Sequence, residues 1–331
     1  METETAPPEL FARLVEIGRD SSRVAARASD APPEPETLYD RHGVLVVRVG
    51  DVVVKAHQPG REYGEPFLQR IKVAASLPDL LLGPLGPPSN VDGHTVTLSL
   101  YGEPVDPHKE LPWEDAGRLL AALHSTPMPA DAPPWGRPTR VVTQVARLGD
   151  GPAEDEVRRA FATLPAWIRG EGGARPERAE CLIHGDWHLG QMVRARDGHW
   201  RLIDIEDLGR GDPAWDLARP AALYLSGVLH PDEWMGFLDA YVAGGGPAIP
   251  DGDDPWAALD IPARSLAIQI AATCVISARR DDRPLDGAEQ AVVDACGRIS
   301  AAGTRHDRPH DRPHDRSPGG AHDVARNLPY I

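Results

Sequence analysis

Hydrophobic residues alternate with polar ones, or run together, in short segments near the start of the chain. Residues 44–49 and 52–56 are rich in valine and are separated by Gly50-Asp51. Runs of this length, bounded by turn residues, are typical of β-strands joined by a tight turn. A further run over 95–101 ends at a glycine. This part of the chain is therefore predicted to form an antiparallel β-meander.

The spacing of apolar residues changes to that of helices over most of the rest of the chain. Apolar side chains three or four positions apart form one face of an α-helix that packs on a core. Segments with this spacing are 9–28, 61–77, 113–124, 153–169, 214–228, 231–242, 262–280 and 285–301. The pattern predicts a strand-rich beginning followed by a mainly helical remainder.

Two short apolar runs in the middle of the chain each lead to an acid. Residues 181–183 precede Asp186, and residues 202–203 precede Asp204. Between them, Asp197-Gly198 is a strong signal for a hairpin turn. We expect this hairpin to carry both acids to the same edge of a small sheet.

Gln191 begins the predicted hairpin and adds an amide to the two carboxylates. Mg²⁺ is a hard cation that prefers oxygen ligands, and proteins commonly hold it with one or two carboxylates and the phosphates of a substrate. The three side chains therefore suit Mg²⁺ and phosphate chemistry.

The residues of this region resemble a known family. The segments 184–191 (His-Gly-Asp-Trp-His-Leu-Gly-Gln) and 203–204 (Ile-Asp) look like the catalytic segment of the aminoglycoside phosphotransferase and choline kinase group. These enzymes are small-molecule kinases related to the protein kinases. The stretch 211–218 resembles the segment that follows their metal-binding aspartate. The resemblance implies an α+β, bilobal protein-kinase-like fold with a small β-rich N-lobe and a larger, mostly helical C-lobe.

The resemblance also implies roles for individual residues. Asp186 is the catalytic base, which accepts the proton of the acceptor hydroxyl, and Gln191 and Asp204 hold Mg²⁺. Asp216 braces the catalytic loop through backbone hydrogen bonds and is structural. The family usually has asparagine where this chain has Gln191, and glutamine there looks like the maltokinase and glucosamine kinase branch.

Nucleotide contacts follow from the same resemblance. Lys55 ends a predicted strand and corresponds to the kinase lysine that binds the α- and β-phosphates and pairs with a helix glutamate. We assign that glutamate to Glu65 rather than Glu62. Backbone groups near Ser99 and Leu100 would hydrogen-bond the purine at the hinge between the lobes. The donor is ATP or GTP, and the sequence does not choose between them.

The resemblance divides the chain into three parts. Residues 1–101 form the N-terminal helix and β-rich nucleotide-binding lobe, and residues 102–302 form the helical catalytic and substrate lobe. Residues 303–331 contain a repeated His-Asp-Arg-Pro motif. A short repeat that contains proline forms neither a packed core nor a regular helix, so this part is predicted to be a disordered tail.

Composition limits the remaining possibilities. The chain has 331 residues, and its formal net charge of -15 disfavours nucleic acid as a partner. The N-terminus lacks the apolar core of a signal peptide, and no membrane partner is expected. Three widely spaced cysteines indicate neither a disulfide framework nor a zinc site and favour the cytoplasm.

These observations predict a Mg²⁺-dependent phosphotransferase that acts on a hydroxyl group of a small molecule. The favoured acceptor is an antibiotic of the aminoglycoside or nucleoside type, in resistance or self-protection, because maltokinases carry an additional N-terminal cap for which this chain has little room. A metabolic sugar kinase and a nucleotide-binding pseudokinase are the alternatives. The presence of Lys55, Asp186 and Asp204 argues against the pseudokinase.

Overall fold

A computed structural model describes residues 6–25, 33–41, 43–59, 64–136, 139–250 and 252–306 of the chain. The described residues divide into two compact units. The first unit comprises the described residues up to Pro104, together with Pro129–Pro133 and Gln191–Leu208. The second comprises Val105–Met128, Pro134–Gly190 and the described residues from Gly209 onward.

An antiparallel sheet of five strands, in the order β1-β2-β3-β5-β4, forms the basis of the first unit. Its strands are β1 (Pro35–Arg41), β2 (Val44–Val49), β3 (Val52–Ala56), β4 (Ser89–Val91) and β5 (His94–Leu100). The predicted bounds of β2 and β3 are confirmed. Alternate valines of these strands, such as Val47, Val49 and Val54, are fully buried. This burial explains why the pattern of apolar residues predicts the strands correctly.

Two helices accompany this sheet. Helix α1 (Pro8–Ala25) packs Leu10 and Leu14 into the hydrophobic core that β2 and β3 line. Helix α2 (Glu65–Ala75) buries Phe67 and Ile71. Helix α1 thus covers the apolar face of the sheet, and Lys55 lies on the central strand, β3.

A second, three-stranded sheet of the first unit contains the predicted hairpin. Its order is β6 (Glu103–Pro104), β8 (Met192–Arg194) and β9 (Trp200–Leu202). The turn is made where expected, with Gly198 at a φ of 83°. Because β8 pairs with β6, the hairpin belongs to the first unit, whereas the sequence analysis grouped it with residues 102–302.

The second unit is mainly helical. Its helices are α3 (Trp113–His124), α4 (Arg140–Ala146), α5 (Pro152–Ala162), α6 (Ala218–Ser226), α7 (Pro231–Ala243), α8 (Trp256–Arg280) and α9 (Gly287–His306). The predicted bounds of α3 are confirmed. Helices α3 and α7 pack so closely that a Cβ atom on Gly117 would lie 2.3 Å from the carbonyl oxygen of Phe237.

The strand before Asp186 is paired differently from our expectation. Strand β7 (Cys181–Ile183) pairs with β10 (Gly209–Gly211) in a two-stranded sheet of the second unit. Asp204 instead follows β9, in the first unit. The prediction of one small sheet with both acids at its edge is therefore wrong, because β7 pairs with the distant β10, whereas β9 pairs with β8 in a separate sheet.

Helix α8 is the one described helix that is long and apolar enough to cross a membrane. Of its most apolar stretch, 61% is buried inside the protein, as in the core helix of a globular unit. Helix α9 continues to His306, so the first residues of the predicted tail are helical. The rest of that prediction, residues 307–331, lies outside the described residues.

Candidate active site

Three of the predicted site residues come together in the first unit. Asp204 follows β9, where the backbone N–H of Ile203 donates to the carbonyl of Gln191 over 2.9 Å. The carboxylate of Asp204 accepts a hydrogen bond from Lys55 Nζ at 3.1 Å on Oδ1. Its Oδ2 accepts one from Gln191 Nε2 at 3.3 Å. Lys55, Gln191 and Asp204 thus form one contiguous cluster.

The backbone at Asp204 is unusual. Its φ and ψ angles of 62° and 66° lie in the left-handed region, which non-glycine residues rarely adopt. Such strained conformations are concentrated at functional sites, where the surrounding structure holds them in place. Here the strain turns the carboxylate toward Lys55 at the point where β9 ends.

Lys55 has two carboxylate neighbours. It lies on β3, opposite Val46 on β2 and Thr97 on β5. Its ammonium group lies 2.8 Å from Glu206 Oε1, in addition to the contact with Asp204. Burial by itself would lower the pKa of Lys55, but the negative charges of Asp204 and Glu206 outweigh burial and raise the pKa above its usual value. The lysine therefore stays fully charged.

Glu206 connects Lys55 to a buried histidine. His57 Nδ1 lies 2.8 Å from Glu206 Oε1, and His57 Nε2 lies 2.9 Å from Thr97 Oγ1. Since a carboxylate only accepts, we assign the proton to Nδ1. Burial opposes ionisation of Glu206, but the hydrogen bond from His57 and the charge of Lys55 hold its pKa well below the usual range. The sequence analysis left Glu206 unassigned.

The structure pairs Lys55 with Glu206 in the place that the sequence analysis gave to Glu65. Glu65 is the first residue of α2 and is exposed. Among the described residues, the carboxylates paired with Lys55 are those of Asp204 and Glu206. A carboxylate in the first turn of a helix is stabilised there by the helix dipole, which needs no lysine. This corrects the predicted Lys55–Glu65 pair.

The predicted purine contacts lie at the end of β5. The N–H of Tyr101 donates to the carbonyl of Asp51, on the β3 side of the strand. Backbone groups alternate in direction along an antiparallel strand, so those of Ser99 also point to β3 and those of Leu100 point away. Leu98 lies two residues before Leu100, so the backbone groups of both residues point in the same direction. The carbonyl of Leu98 accepts a hydrogen bond from the N–H of Leu85 and not from β3. Leu100 can contact a ligand through its backbone, and Ser99 cannot.

The oxygen donors next to Lys55 are few. Within the described part of the chain, no group of three or more His, Cys, Asp or Glu side chains is arranged to hold a metal. The carboxylates of Asp204 and Glu206 lie next to Lys55, and the amide of Gln191 lies next to Asp204. Mg²⁺ fits such a sparse oxygen set, because it keeps several waters and is often completed by substrate phosphates.

The loop that carries Asp186, the predicted base, belongs to the second unit and is held in place by Asp216. Gly185 takes a φ of 86°, which a residue with a side chain would adopt at a cost. The buried carboxylate of Asp216 accepts from the backbone N–H groups of His184, at 2.6 Å, and Gly185, at 2.8 Å. The predicted structural role of Asp216 is confirmed.

A chain of hydrogen bonds supports Asp216 in turn. His124 Nε2 lies 3.0 Å from Asp216, and His124 Nδ1 lies 2.9 Å from the hydroxyl of Tyr241. That hydroxyl accepts from the N–H of Ala248 at 3.0 Å. Burial raises the pKa of Tyr241, so its proton remains available for His124. Helices α3 and α7 thus fix the loop that presents Asp186.

Two arginines contact Asp186 itself. Arg140 Nη1 lies 2.6 Å from Asp186 Oδ2, and Arg219 Nη2 lies 3.5 Å from Asp186 Oδ1. Burial would raise the pKa of Asp186, but the charges of Arg140, Arg219 and His188 hold it well below the usual range. Neither arginine was predicted from the sequence, because neither lies in the motif and both come from helices distant in the sequence.

Comparison with known proteins places these residues in a family. The family described as phosphotransferase enzyme family, APH, matches residues 44–259, which include Lys55, Asp186 and Asp204. The chain belongs to this family. Membership confirms the predicted resemblance and the prediction that the chain is a phosphotransferase of the small-molecule kinase type. A comparison with curated proteins found no match.

Solved structures share the fold. A choline/ethanolamine kinase family protein from Mesorhizobium loti is 19% identical, with a TM-score of 0.52 over 87% of this chain and 97% of the other. Choline kinase LicA from Streptococcus pneumoniae is 15% identical, with a TM-score of 0.54 over 87% and 98%. A spectinomycin phosphotransferase in complex with ADP and spectinomycin is 11% identical, with a TM-score of 0.55 over 89% and 98%. These likenesses confirm the predicted protein-kinase-like, α+β fold class.

Proposed function

We propose that the chain transfers the γ-phosphoryl group of ATP or GTP to a hydroxyl group of a small molecule, in a Mg²⁺-dependent reaction. The observation that carries this proposal is the cluster of Lys55, Gln191 and Asp204 in a member of the phosphotransferase family. The cluster combines one fixed cation with oxygen donors for a divalent metal. That combination suits a triphosphate, whose charge needs both kinds of partner.

The nucleotide site uses groups of the first unit. Lys55 binds the α- and β-phosphates, and its raised pKa keeps it cationic at neutral pH. The backbone N–H and C=O of Leu100 point away from β3 and present a donor and an acceptor to the edge of the purine. Either adenine or guanine offers a complementary edge, so the donor is ATP or GTP.

Mg²⁺ would be held by Asp204 and Gln191. When bound, it neutralises the charge that develops on the phosphate oxygens during transfer. Glu206 lies outside this proposed set, and its carboxylate contacts Lys55 and His57. Glu206 instead fixes the position of Lys55 next to the metal donors.

Asp186 is the base. It orients the acceptor hydroxyl and takes up its proton while the new O–P bond forms and the bond to the departing nucleoside diphosphate breaks. Catalysis by such enzymes is mostly positioning and charge stabilisation, because the transition state is loose. The hydrogen bonds from His184 and Gly185 to Asp216 supply the required rigidity.

The acceptor defines the biological role. The solved relatives include a choline kinase and a spectinomycin phosphotransferase, so this fold serves acceptors of metabolic and of antibiotic type. Of these, we favour an antibiotic on the sequence arguments, with action in the cytoplasm, where nucleoside triphosphates are available. The intact set of Lys55, Asp186 and Asp204 supports an active enzyme.

The test is a phosphoryl-transfer screen with and without Mg²⁺. ATP and GTP are each paired with aminoglycosides, nucleoside antibiotics, maltose and glucosamine. We expect Asp186→Asn to lower transfer by orders of magnitude while nucleotide binding is retained. Asp232→Asn, at a side chain that is 94% exposed, is the matched control. Undiminished transfer by Asp186→Asn would remove the base from its proposed role.

A further inference from the structure

Asp186 opens onto a pocket that lies entirely within the second unit. The pocket is lined by Arg140 and Arg219, by the indole rings of Trp135, Trp187 and Trp215, and by Ser265. Trp135 is fixed there by a hydrogen bond of 3.1 Å from its Nε1 to the carbonyl of Gly185. The walls of the pocket are therefore rigid and aromatic, and its charged groups are gathered around the base.

The charges in this pocket are mainly positive. Among its charged lining residues, two guanidinium groups stand against the single carboxylate of Asp186, which leaves one positive charge in excess. The two arginines approach different oxygens of that carboxylate. Arg219 is 8% exposed in its side chain and is a fixed wall, whereas Arg140 is 35% exposed and can be reached by a ligand.

The same pocket also contains a neutral polar side chain, Ser265. Ser265 is 1% exposed, and its Oγ has no hydrogen-bond partner among the described residues. A buried hydroxyl without a hydrogen-bond partner is energetically unfavourable. An acceptor molecule that brings an oxygen or nitrogen atom to Ser265 would remove this cost.

We propose that the pocket beside Asp186 binds an acceptor that carries an anionic oxygen group, a carboxylate or a phosphate, next to the hydroxyl that is phosphorylated. Arg140 and Arg219 hold the anion, and the neighbouring hydroxyl then lies at Asp186. This inference rests on the proposed function, because it takes Asp186 as the base. It deepens that function by naming the charge of the acceptor, and it disfavours the polycationic aminoglycosides among the antibiotic acceptors.

The same geometry opposes a cationic acceptor. An ammonium group near Asp186 would lie close to two guanidinium groups, and like charges at close range repel strongly when they are partly buried. Arginine, in contrast, matches carboxylate and phosphate oxygens with parallel hydrogen bonds. The negative charge of the whole chain favours a polyamine on average, but the local charge decides what binds at the base.

The first experiment titrates the full-length protein with inorganic phosphate at constant ionic strength and follows tryptophan fluorescence. The titration uses the Lys55→Met variant, so that phosphate binding at Lys55 does not contribute to the signal. We expect a saturable change, since three tryptophans line the pocket. Arg140→Gln should weaken the binding about tenfold or more, as expected for the loss of a hydrogen bond to a charged group.

Matched variants distinguish the effect of removing a positive charge from the effect of disturbing the fold. Arg147→Gln changes an exposed arginine at the other end of α4 and should leave the affinity for phosphate unchanged. Arg219→Lys keeps the buried charge and should retain most of the affinity, whereas Arg219→Gln should lose it. The absence of a saturable signal, or equal affinities in the Arg140→Gln and Arg147→Gln proteins, would overturn the proposal.

A second experiment measures transfer from Mg²⁺-ATP and Mg²⁺-GTP to glucuronate, glucose and glucosamine, which differ mainly in charge. We expect the order anion, neutral molecule, cation, and a preference for glucosamine would contradict the proposal. Phosphate binding is measured without nucleotide, so it decides the matter where no sugar is phosphorylated. Failure of the anion site leaves the proposed kinase reaction intact. A normal rate of the Asp186→Asn enzyme instead removes Asp186 as the base, and with it the placement of the hydroxyl beside the bound anion.

Discussion

At the scale of single residues, the chemistry depends on side chains whose partners lie far away in the sequence. Lys55, Gln191, Asp186 and Asp204 could be singled out in the sequence because the resemblance to a known family assigns them roles. The partner of Lys55 was not, because a choice between Glu65 and Glu206 depends on which loop reaches the end of β3. Arg140 was equally hidden, in a helix that follows a proline-rich segment.

Two substitutions of Asp204 distinguish the effect of its charge from the effect of its backbone strain. Its left-handed backbone is tolerated by asparagine but costs alanine about 1–2 kcal/mol. We expect both Asp204→Asn and Asp204→Ala to abolish Mg²⁺-dependent nucleotide binding, measured by titration with and without Mg²⁺. Only Asp204→Ala should also lower the free energy of unfolding, measured with denaturant. A normal Mg²⁺ dependence in either variant would contradict the metal assignment.

The arginines at Asp186 give a prediction about pH. In the wild type they hold the pKa of Asp186 well below its usual range, so the base stays deprotonated over about pH 5–8. Arg140→Gln removes one of these charges and leaves burial, which raises the pKa. The acidic limb of kcat/KM, where the base takes up a proton and activity falls, should therefore move to higher pH.

The measurement is the pH profile of kcat/KM for wild type, Arg140→Gln and the control Arg147→Gln. Arg147 caps the C-terminal end of the same helix but is exposed, and its side chain contacts Gln144 rather than the base. Its profile should match that of the wild type. An acidic limb that stays in place in Arg140→Gln would show that this arginine does not tune the base.

At the scale of elements, local patterns were sufficient where one face of the element is buried and a turn residue marks its end. Strands β2 and β3 and helix α3 satisfy both conditions. Helix α8 was placed too late, from Pro262, because proline favours the first turn of a helix, yet the helix begins at Trp256 and contains that proline. The pairing of β7 with β10 could not be predicted, since a strand of three residues has no local signal for its partner.

The packing of α3 against α7 supports a prediction with an internal control. A Cβ atom on Gly117 would meet the backbone oxygen of Phe237, which cannot move away, so Gly117→Ala should cost about 1–3 kcal/mol or more. Gly236 lies in α7, where a Cβ atom would lie 3.4 Å from Glu114 Cγ, in a flexible side chain.

Gly236→Ala should therefore be neutral, or stabilise the protein by up to about 1 kcal/mol through helix propensity. Denaturant unfolding of both variants measures the difference. Because α3 carries His124, which supports Asp216 and the catalytic loop, Gly117→Ala should also reduce phosphoryl transfer. Equal unfolding free energies for the two variants would show that the helices do not meet as closely as described.

At the scale of the whole molecule, elements that follow one another in the sequence do not always belong to the same unit. The motif residues Asp186 and Gln191 are near neighbours in sequence, yet they belong to different units. The hairpin of β8 and β9 belongs to the first unit because its edge pairs with β6. Such long-range pairing is what a single sequence does not reveal, and family resemblance supplied the fold where local pattern ended.

The C-terminal end of the chain gives a prediction about the whole molecule. Among residues 287–302 of α9, whose side chains are described, the buried ones, including Val292, Val293 and Cys296, all lie before residue 300. A chain that ends at His306 therefore keeps every buried contact of α9 and should retain full phosphoryl transfer and melting temperature. A chain that ends at Asp286 loses the helix and exposes the faces of α5 and α8 that contact it.

This second truncation should not fold stably, because each large buried apolar side chain contributes about 1.5–3 kcal/mol and a whole domain has only about 5–15 kcal/mol in reserve. Thermal unfolding and the transfer assay compare the two truncations with the full chain. If the chain ending at His306 lost activity, the His-Asp-Arg-Pro repeat would have to take part in the reaction or in the fold. Its composition argues otherwise, because histidine, aspartate and arginine separated by prolines offer no apolar face to bury.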